Sequence, residues 1–260
     1  MVRGIDKFRE FFADFAENYI IIGGTACEIY EEQYAQIPRA TKDIDIILIV
    51  EALSSDFVLQ FWEFVKAGNY DERNKGVGEH KQEYYRFKKP ENADFPYQVE
   101  LFSRNVGLKD FPEDARITPI PVDEDLSSLS AILMDEDYYN FTLKHSSVDE
   151  DIHLANVESL ICLKAKAYLD LSDRKDAGEQ VDRKHIEKHK KDVFRLAAML
   201  TDNDFFDTPA TLKSDIQKFC ERIQMDEPNA DFFKSAGLPK SITAERLIEQ
   251  IKKSFNIERF

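Results

Sequence analysis

The sequence predicts an α+β protein, in which a mixed β-sheet flanked by helices precedes an all-helical carboxyl-terminal part. Short apolar runs rich in isoleucine and valine alternate with helical patterns over residues 5–103. Beyond residue 156 only long helical patterns occur. Strands that come first and helices that follow are typical of the α+β class. The 260 residues, 43% of them hydrophobic and 20 of them phenylalanine, supply enough apolar side chains for a core.

Five elements are predicted before residue 70. Phenylalanines at helical spacing in "IDKFREFFADF" indicate an amphipathic helix, and "NYIIIGG" indicates a buried strand that a glycine turn ends. The run "TACEIYEEQYA" predicts a helix with Thr25 near its start. In "DIDIILIV" apolar residues point to both faces, which places this strand inside the sheet. The serine cap and final glycine of "SSDFVLQFWEFVKAG" delimit another helix.

The remaining elements divide into a hairpin and a set of helices. The runs "EYYRFKK" and "YQVELFS" predict two strands that pair around the polar loop "PENADFP". Four amphipathic helices then follow, in "NVESLICLKAKAYLDL", "KHIEKHKKDVFRLAAML", "TLKSDIQKFCERI" and "AERLIEQIKKSF". Acidic and turn residues interrupt the periodicity over 134–154. We therefore expect a catalytic-type domain over 1–150 and a helical domain over 151–260.

Composition narrows the class of protein. A formal charge of −15 repels phosphate backbones, which disfavours a non-specific nucleic-acid coat protein. Cys27, Cys162 and Cys220 lack C-x-x-C spacing and are odd in number, so we interpret them as small core residues and not as a disulfide or zinc framework. The chain shows neither a secretory leader nor an apolar run near the ~18 residues that span a bilayer. We expect a cytoplasmic protein without a membrane partner.

Polar residues interrupt two of the predicted apolar strands. Residues two apart on a strand point the same way, so Asp43 and Asp45 project side by side. Two adjacent carboxylates repel each other unless a proton or cation lies between them, and Mg²⁺ or Mn²⁺ is the usual cation. Glu100, within the apolar strand "YQVELF", is a candidate third ligand or a base. If the extended chain begins earlier, Arg39 and Thr41 join the same row.

The glycine pair predicts a phosphate site. If the strand that ends at Gly23 runs antiparallel to the strand that begins at Asp43, the intervening helix brings Gly24 close to Asp43. Backbone amides of Gly23, Gly24 and Thr25 are then able to bind phosphate oxygens. A triphosphate bridged by metal to the aspartates would be positioned for attack at its α-phosphorus.

Other classes of protein also contain paired aspartates. The pair is sometimes only the polar start of a strand. Haloacid-dehalogenase-like phosphatases and sugar-nucleotide glycosyltransferases use a D-x-D motif, but their apolar strand precedes the aspartates. Here the apolar run follows them. The order along the chain therefore disfavours both of these classes.

The stretches "IIIGGTACEIY" and "IPRATKDIDIIL" closely resemble the nucleotidyltransferase superfamily that includes DNA polymerase β, and within it the AbiEii and MenA type toxin-like branch. The matching positions are Gly23, Gly24, Arg39, Thr41, Asp43 and Asp45. The 18 residues between Gly24 and Asp43 exceed the compact spacing of that family, and segment 31–38 receives no functional interpretation from the sequence.

The same resemblance implies roles for the helical half. The AbiEii-like proteins carry a lysine on one helix and a Lys-Asp pair on the next, and Lys164, Lys191 and Asp192 match them. Lys164 is then expected to bind the nucleotide phosphates, with Lys191 and Asp192 at the same cleft. Without the resemblance, a lysine on an apolar helix face indicates a snorkelling side chain.

The resemblance implies a metal-dependent nucleotidyltransferase that moves a nucleoside monophosphate from an NTP to tRNA, to protein or to another macromolecule, with a cognate antitoxin as partner. An aminoglycoside-type small-molecule acceptor is the first alternative, because the same core serves it. A non-catalytic nucleotide-binding or interaction protein is the second. The basic stretch "DRKHIEKHKKD" indicates either an RNA contact or an ordinary charged helix face.

Overall fold

The computed structural model describes residues 2–39, 41–49, 52, 54–70, 85–102, 132 and 135–257. The chain divides into two compact units. The first comprises Met1–Ile29, Arg39–Val122 and Ser146–Ala155, and the second comprises Tyr30–Pro38, Asp123–His145 and Asn156–Phe260. The predicted division between residues 150 and 151 lies in the turn between two paired strands of the first unit.

In its described residues, the first unit contains six strands and the helices that flank them. Its elements are α1 (Ile5–Phe12), a 3₁₀ helix (Ala13–Asn18), β1 (Tyr19–Ile22), the start of α2 (Gly23–Gln33), β2 (Asp43–Leu48), α3 (Ser55–Gly68), β3 (Tyr85–Lys88), β4 (Gln98–Phe102), β5 (Ser146–Asp149) and β6 (Ile152–Ala155). The ends of the predicted strands at Val50, Glu83, Tyr84 and Ser103 lie outside the described residues.

The six strands form one mixed sheet in the order β3-β4-β2-β1-β6-β5. β2 pairs antiparallel with β1 and parallel with β4, which confirms that the "DIDIILIV" strand is internal to the sheet. β3 and β4 form the predicted antiparallel hairpin. The β5–β6 hairpin was not predicted, because its strands are four residues each and "SSVD" lacks apolar alternation.

Aromatic side chains form the core between the helices and β1. Phe8 and Phe12 of α1 contact each other with ring centroids 4.5 Å apart, and Phe8 meets Tyr19 of β1 edge-on at 5.2 Å. Phe57 and Phe64 of α3 contact the same group of rings. All five rings are at most 2% exposed. Burial of large aromatic surfaces thus fixes α1 and α3 together beside the sheet.

The second unit is helical in its described residues. Its helices are α4 (Glu136–Lys144), α5 (Val157–Asp176), α6 (Arg183–Ala197), α7 (Ala210–Met225), α8 (Ala230–Ser235) and α9 (Ala244–Ser254). α5, α6, α7 and α9 confirm the four predicted helices. The segment of α4 was wrongly predicted to be the boundary between the two domains, because its acidic residues were interpreted as a loop. Asp135 is instead the N-cap of the helix, and its side chain accepts from the amides of Asp137 and Tyr138. α8 has six residues and was not predicted.

Cys27, Cys162 and Cys220 are buried and are not joined in disulfides, as expected of core residues. Burial raises the pKa of the Cys220 thiol to about 12, and it also raises the pKa of Cys162. Both side chains therefore remain thiols at neutral pH. In the described part of the chain, no helix is both long enough and apolar enough to cross a membrane.

Candidate functional site

The chain passes directly from β1 into α2 at Gly23, and this sharp change of direction, here called the glycine turn, favours glycine. Gly23 has a φ of 70°, in the left-handed region that favours glycine. A β-carbon at this position would overlap Asp45 Oδ2 and would lie 2.9 Å from Asp45 Cγ. This close approach follows from the sheet register, in which Ile22 is directly opposite Asp45. The two strands are antiparallel, which is the arrangement that the predicted phosphate site requires.

Gly24 is close to the other predicted polar residues. A β-carbon on Gly24 would lie 2.9 Å from Thr41 Oγ1 and 3.5 Å from Arg39 Nη2. Arg39, Thr41 and Gly24 are all partly exposed. The segment before β2 thus places a hydroxyl and a guanidinium beside the glycine turn. Backbone amides, hydroxyls and guanidinium groups are the donors that bind phosphate oxygens in proteins.

The two aspartates face away from the core of the sheet. Asp43 and Asp45 are partly exposed, whereas Ile44 and Ile46 have no exposed surface. This alternation confirms the predicted row on one face of β2. The apolar residues behind the aspartates anchor the strand, so both carboxylates project from a rigid element.

Glu100 occupies the neighbouring strand at the same level. It is in register with Asp45 in the parallel β2–β4 pair, and Gln98 is in register with Asp43. Residues paired in this way project to the same face of a sheet. Glu100 is 6% exposed, and its Oε1 accepts a hydrogen bond of 2.6 Å from Gln98 Nε2. The predicted row of carboxylates therefore extends over two adjacent strands.

The donor set on this face suits Mg²⁺ or Mn²⁺, because both ions prefer carboxylate oxygen. Among the described residues, no three His, Cys, Asp or Glu side chains are grouped so that they could hold a metal ion. Mg²⁺ in phosphate-handling sites commonly uses one or two protein carboxylates, with water and substrate phosphate as its other ligands. Asp43 and Asp45, on one face of β2, are the two carboxylates that such a site would use.

Helix α2 supports the segment that leads into β2. Thr25 Oγ1 donates a 2.6 Å hydrogen bond to the carbonyl of Asp43, and Glu28 Oε2 accepts a 2.8 Å hydrogen bond from the backbone N–H of Thr41. Thr25 and Glu28 are 0% and 3% exposed. The sequence predicts that Thr25 lies near the start of the helix and binds phosphate. In the structure its hydroxyl donates to the backbone carbonyl of Asp43. Sequence reasoning missed Glu28, whose three-residue spacing from Thr25 was the only available signal.

Lys164 and Asp192 form a buried ion pair in the second unit. Lys164 Nζ lies 3.1 Å from Asp192 Oδ2, and the two side chains are 7% and 1% exposed. Lys164 is therefore not a lysine that merely extends to solvent from an apolar helix face. The pair joins α5 to α6, and it unites two of the three residues that the sequence resemblance indicated in this half.

Lys191, the third of these residues, packs against an aromatic ring. Its Nζ lies 5.8 Å from the ring centroid of Phe232, and the Nζ of Lys190 lies 5.3 Å from the same centroid. Attraction between a cation and the face of a ring stabilises such contacts. Lys190 is 4% exposed, whereas Lys191 is partly exposed.

The segment 31–38 is held by Arg195 of α6. Arg195 Nε donates to Glu31 Oε1 at 2.6 Å, Nη1 donates to the carbonyl of Ala236 at 2.7 Å, and Nη2 donates to the carbonyl of Ile37. Gln36 Nε2 donates to the carbonyl of Arg195 at 3.0 Å. Arg195 is 5% exposed and Glu31 is 1% exposed. These bonds give a structural role to a segment that the sequence left without one.

Comparison of the chain with protein-family models, with curated proteins and with solved structures found no match.

Proposed function

We propose that this protein is a metal-dependent nucleotidyltransferase, which transfers a nucleoside monophosphate from an NTP to an acceptor hydroxyl. The observation that carries the proposal is the contact between the Gly23 turn and the Asp45 carboxylate. The contact supports the proposal because a glycine turn and a carboxylate lie side by side there. A metal-bridged triphosphate requires these two features next to each other.

Each candidate site residue of the first unit has a part in this proposal. Gly23 and Gly24 would present backbone amides to the phosphates, with Arg39 and Thr41 beside them. Asp43 and Asp45 would hold Mg²⁺ or Mn²⁺. When it is bound, the ion neutralises the phosphate oxygens and stabilises the charge that develops on them during transfer.

The bond changes in the proposed reaction are those of nucleotidyl transfer. The acceptor hydroxyl oxygen attacks the α-phosphorus, and the bond from the α-phosphorus to the bridging oxygen breaks. Pyrophosphate leaves with that oxygen. We assign uptake of the hydroxyl proton to Glu100, the carboxylate of the same face that is not used for metal.

The acceptor and the partner of the protein follow from the sequence resemblance. The AbiEii and MenA type branch implies tRNA or another macromolecule as acceptor and a cognate antitoxin as partner. The same resemblance implies phosphate binding by Lys164 and a place beside it for Lys191 and Asp192.

Equilibrium binding tests the nucleotide and metal site in the absence of any acceptor. We would titrate each NTP into the protein with and without Mg²⁺ by calorimetry, for the wild type and for Asp43→Asn. Wild type should bind at least one NTP more tightly with Mg²⁺, and Asp43→Asn should lose most of that gain, because a carboxylate ligand is missing.

Asp56→Asn is the matched control for this titration. It makes the same change of charge at an exposed position in the first turn of α3. The control should bind as the wild type does. Equal Mg²⁺ dependence in the wild type and Asp43→Asn would rule out the proposed metal role of Asp43.

A further inference from the structure

Glu28 is a buried acidic residue on the inner face of α2, and it contacts the backbone that precedes the paired aspartates. It lies three residues after Thr25, so both side chains are on one face of the helix. Thr25 bonds to the carbonyl of Asp43 and Glu28 bonds to the amide of Thr41. The two side chains therefore hold both ends of the three-residue stretch 41–43.

The amide of Thr41 needs such a partner. Thr41 lies two residues before β2 begins, so its N–H lies outside the β1–β2 and β2–β4 ladders. A backbone N–H in a partly buried position requires an acceptor. A buried carboxylate is an expensive acceptor, because burial removes its hydration. Glu28, at 3% exposure, supplies the acceptor for this amide.

The stretch that Glu28 holds is the one on which the site depends. Thr41 Oγ1 lies against Gly24, and Asp43 and Asp45 follow at the next two alternate positions of the chain. A shift of the Thr41 backbone would therefore displace the hydroxyl beside the glycine turn. The same shift would change the direction in which the first aspartate leaves the strand.

We propose that Glu28 is a positioning residue for the metal and phosphate site. This inference rests on the proposed nucleotidyltransferase function. Glu28 acts through the Thr41 amide, and it sets the placement of Thr41 and Asp43. Its role depends on the reach of its oxygen and not on its charge. Groups that orient metal ligands in this way typically change metal affinity or activity by about 10–100-fold when they are altered.

Two conservative substitutions separate reach from charge. Glu28→Asp keeps the charge but withdraws the oxygen by one methylene, and Glu28→Gln keeps an oxygen acceptor at the same reach without the charge. The readout is the Mg²⁺ concentration at half effect, measured both as transfer of label from an α-labelled NTP and, without any acceptor, as the gain in NTP affinity by calorimetry. Fold stability alone does not move this value in protein that is fully folded at the assay temperature, which circular dichroism would verify.

We expect Glu28→Asp to raise the half-maximal Mg²⁺ concentration about 10-fold or more, and Glu28→Gln to stay within about 3-fold of wild type. Glu32→Asp is the matched control, since it makes the same change one turn later on α2 at an exposed position. It should behave as wild type.

The outcomes separate the inference from the function on which it rests. Transfer by wild type with an unchanged Mg²⁺ requirement in folded Glu28→Asp overturns the positioning role alone. A rise in Glu28→Gln equal to that in Glu28→Asp overturns it as well, because the charge would then be the property that matters. Absence of Mg²⁺-dependent transfer by wild type overturns the proposed function, and the role of Glu28 with it.

Discussion

The carboxylate of Asp45 lies against the α-carbon of Gly23, so closely that a β-carbon at position 23 would overlap Asp45 Oδ2. The contact joins the end of β1 to the second aspartate of β2, two strands that pair antiparallel at Ile22 and Asp45. A turn that could bind phosphate and a carboxylate that could bind metal are thus held in contact by the register of a central strand pair.

Gly23→Ala should destabilise the first unit by about 3 kcal/mol, because overpacking and a left-handed backbone both oppose a side chain there. Urea denaturation measures the change. Gly178→Ala is the control, since Gly178 has a φ of 89° but nothing within 4 Å of its added β-carbon. It should lose only about 1 kcal/mol, the cost of the backbone conformation. Equal losses in the two variants would contradict the close contact with Asp45.

Lys164→Met should destabilise the second unit by about 3–5 kcal/mol, because it removes one partner of a buried ion pair. Asp192 would keep a buried charge without the 3.1 Å contact to Lys164 Nζ. The double variant Lys164→Met/Asp192→Leu should recover part of this loss, because both charges are then gone. Chemical denaturation of the four proteins gives the coupling free energy, and strict additivity of the two single changes would contradict the ion pair.

Arg195→Met should also destabilise the protein by about 3–5 kcal/mol, because buried Glu31 and two backbone carbonyls lose their donor. Arg195→Lys should not restore stability, since an ammonium group lacks the planar fork that reaches several acceptors.

Arg222→Met is the control for the arginine substitution. Arg222 is more exposed and bonds to Asp173 at 2.6 Å on the surface. Its replacement should cost at most about 1 kcal/mol. A loss at Arg195 as small as that at Arg222 would contradict the role of Arg195 in holding segment 31–38.

The sequence allowed prediction of the central strands because polar and apolar residues alternate there in a simple way. Asp43 and Asp45 alternate with apolar residues at a period of two, and antiparallel pairing of this strand with the strand before Gly23 was the condition for the predicted phosphate site. The structure shows both features. Local periodicity was sufficient because each of these elements is long enough to display it.

The residues that hold the site and segment 31–38 in place were harder to predict from the sequence. Glu28 bonds to an amide 13 residues away, and nothing in the composition of α2 indicates which backbone group it meets. Arg195 bonds to Glu31, which lies 164 residues earlier in the chain. Such contacts depend on tertiary packing, which single-sequence patterns do not contain. The β5–β6 hairpin was missed for a local reason, because four-residue strands carry little periodicity.

The most direct test of the account is transfer of label from α-labelled NTPs to pools of tRNA and of cell protein, with Mg²⁺ or with EDTA. Wild type and Asp56→Asn should label one of the pools in a metal-dependent manner. Asp45→Asn should be slower by about 100-fold or more, because the loss of a metal-binding carboxylate removes several kcal/mol of transition-state stabilisation. Transfer by Asp45→Asn at the wild-type rate, or transfer by wild type that EDTA leaves unchanged, would contradict the central claim.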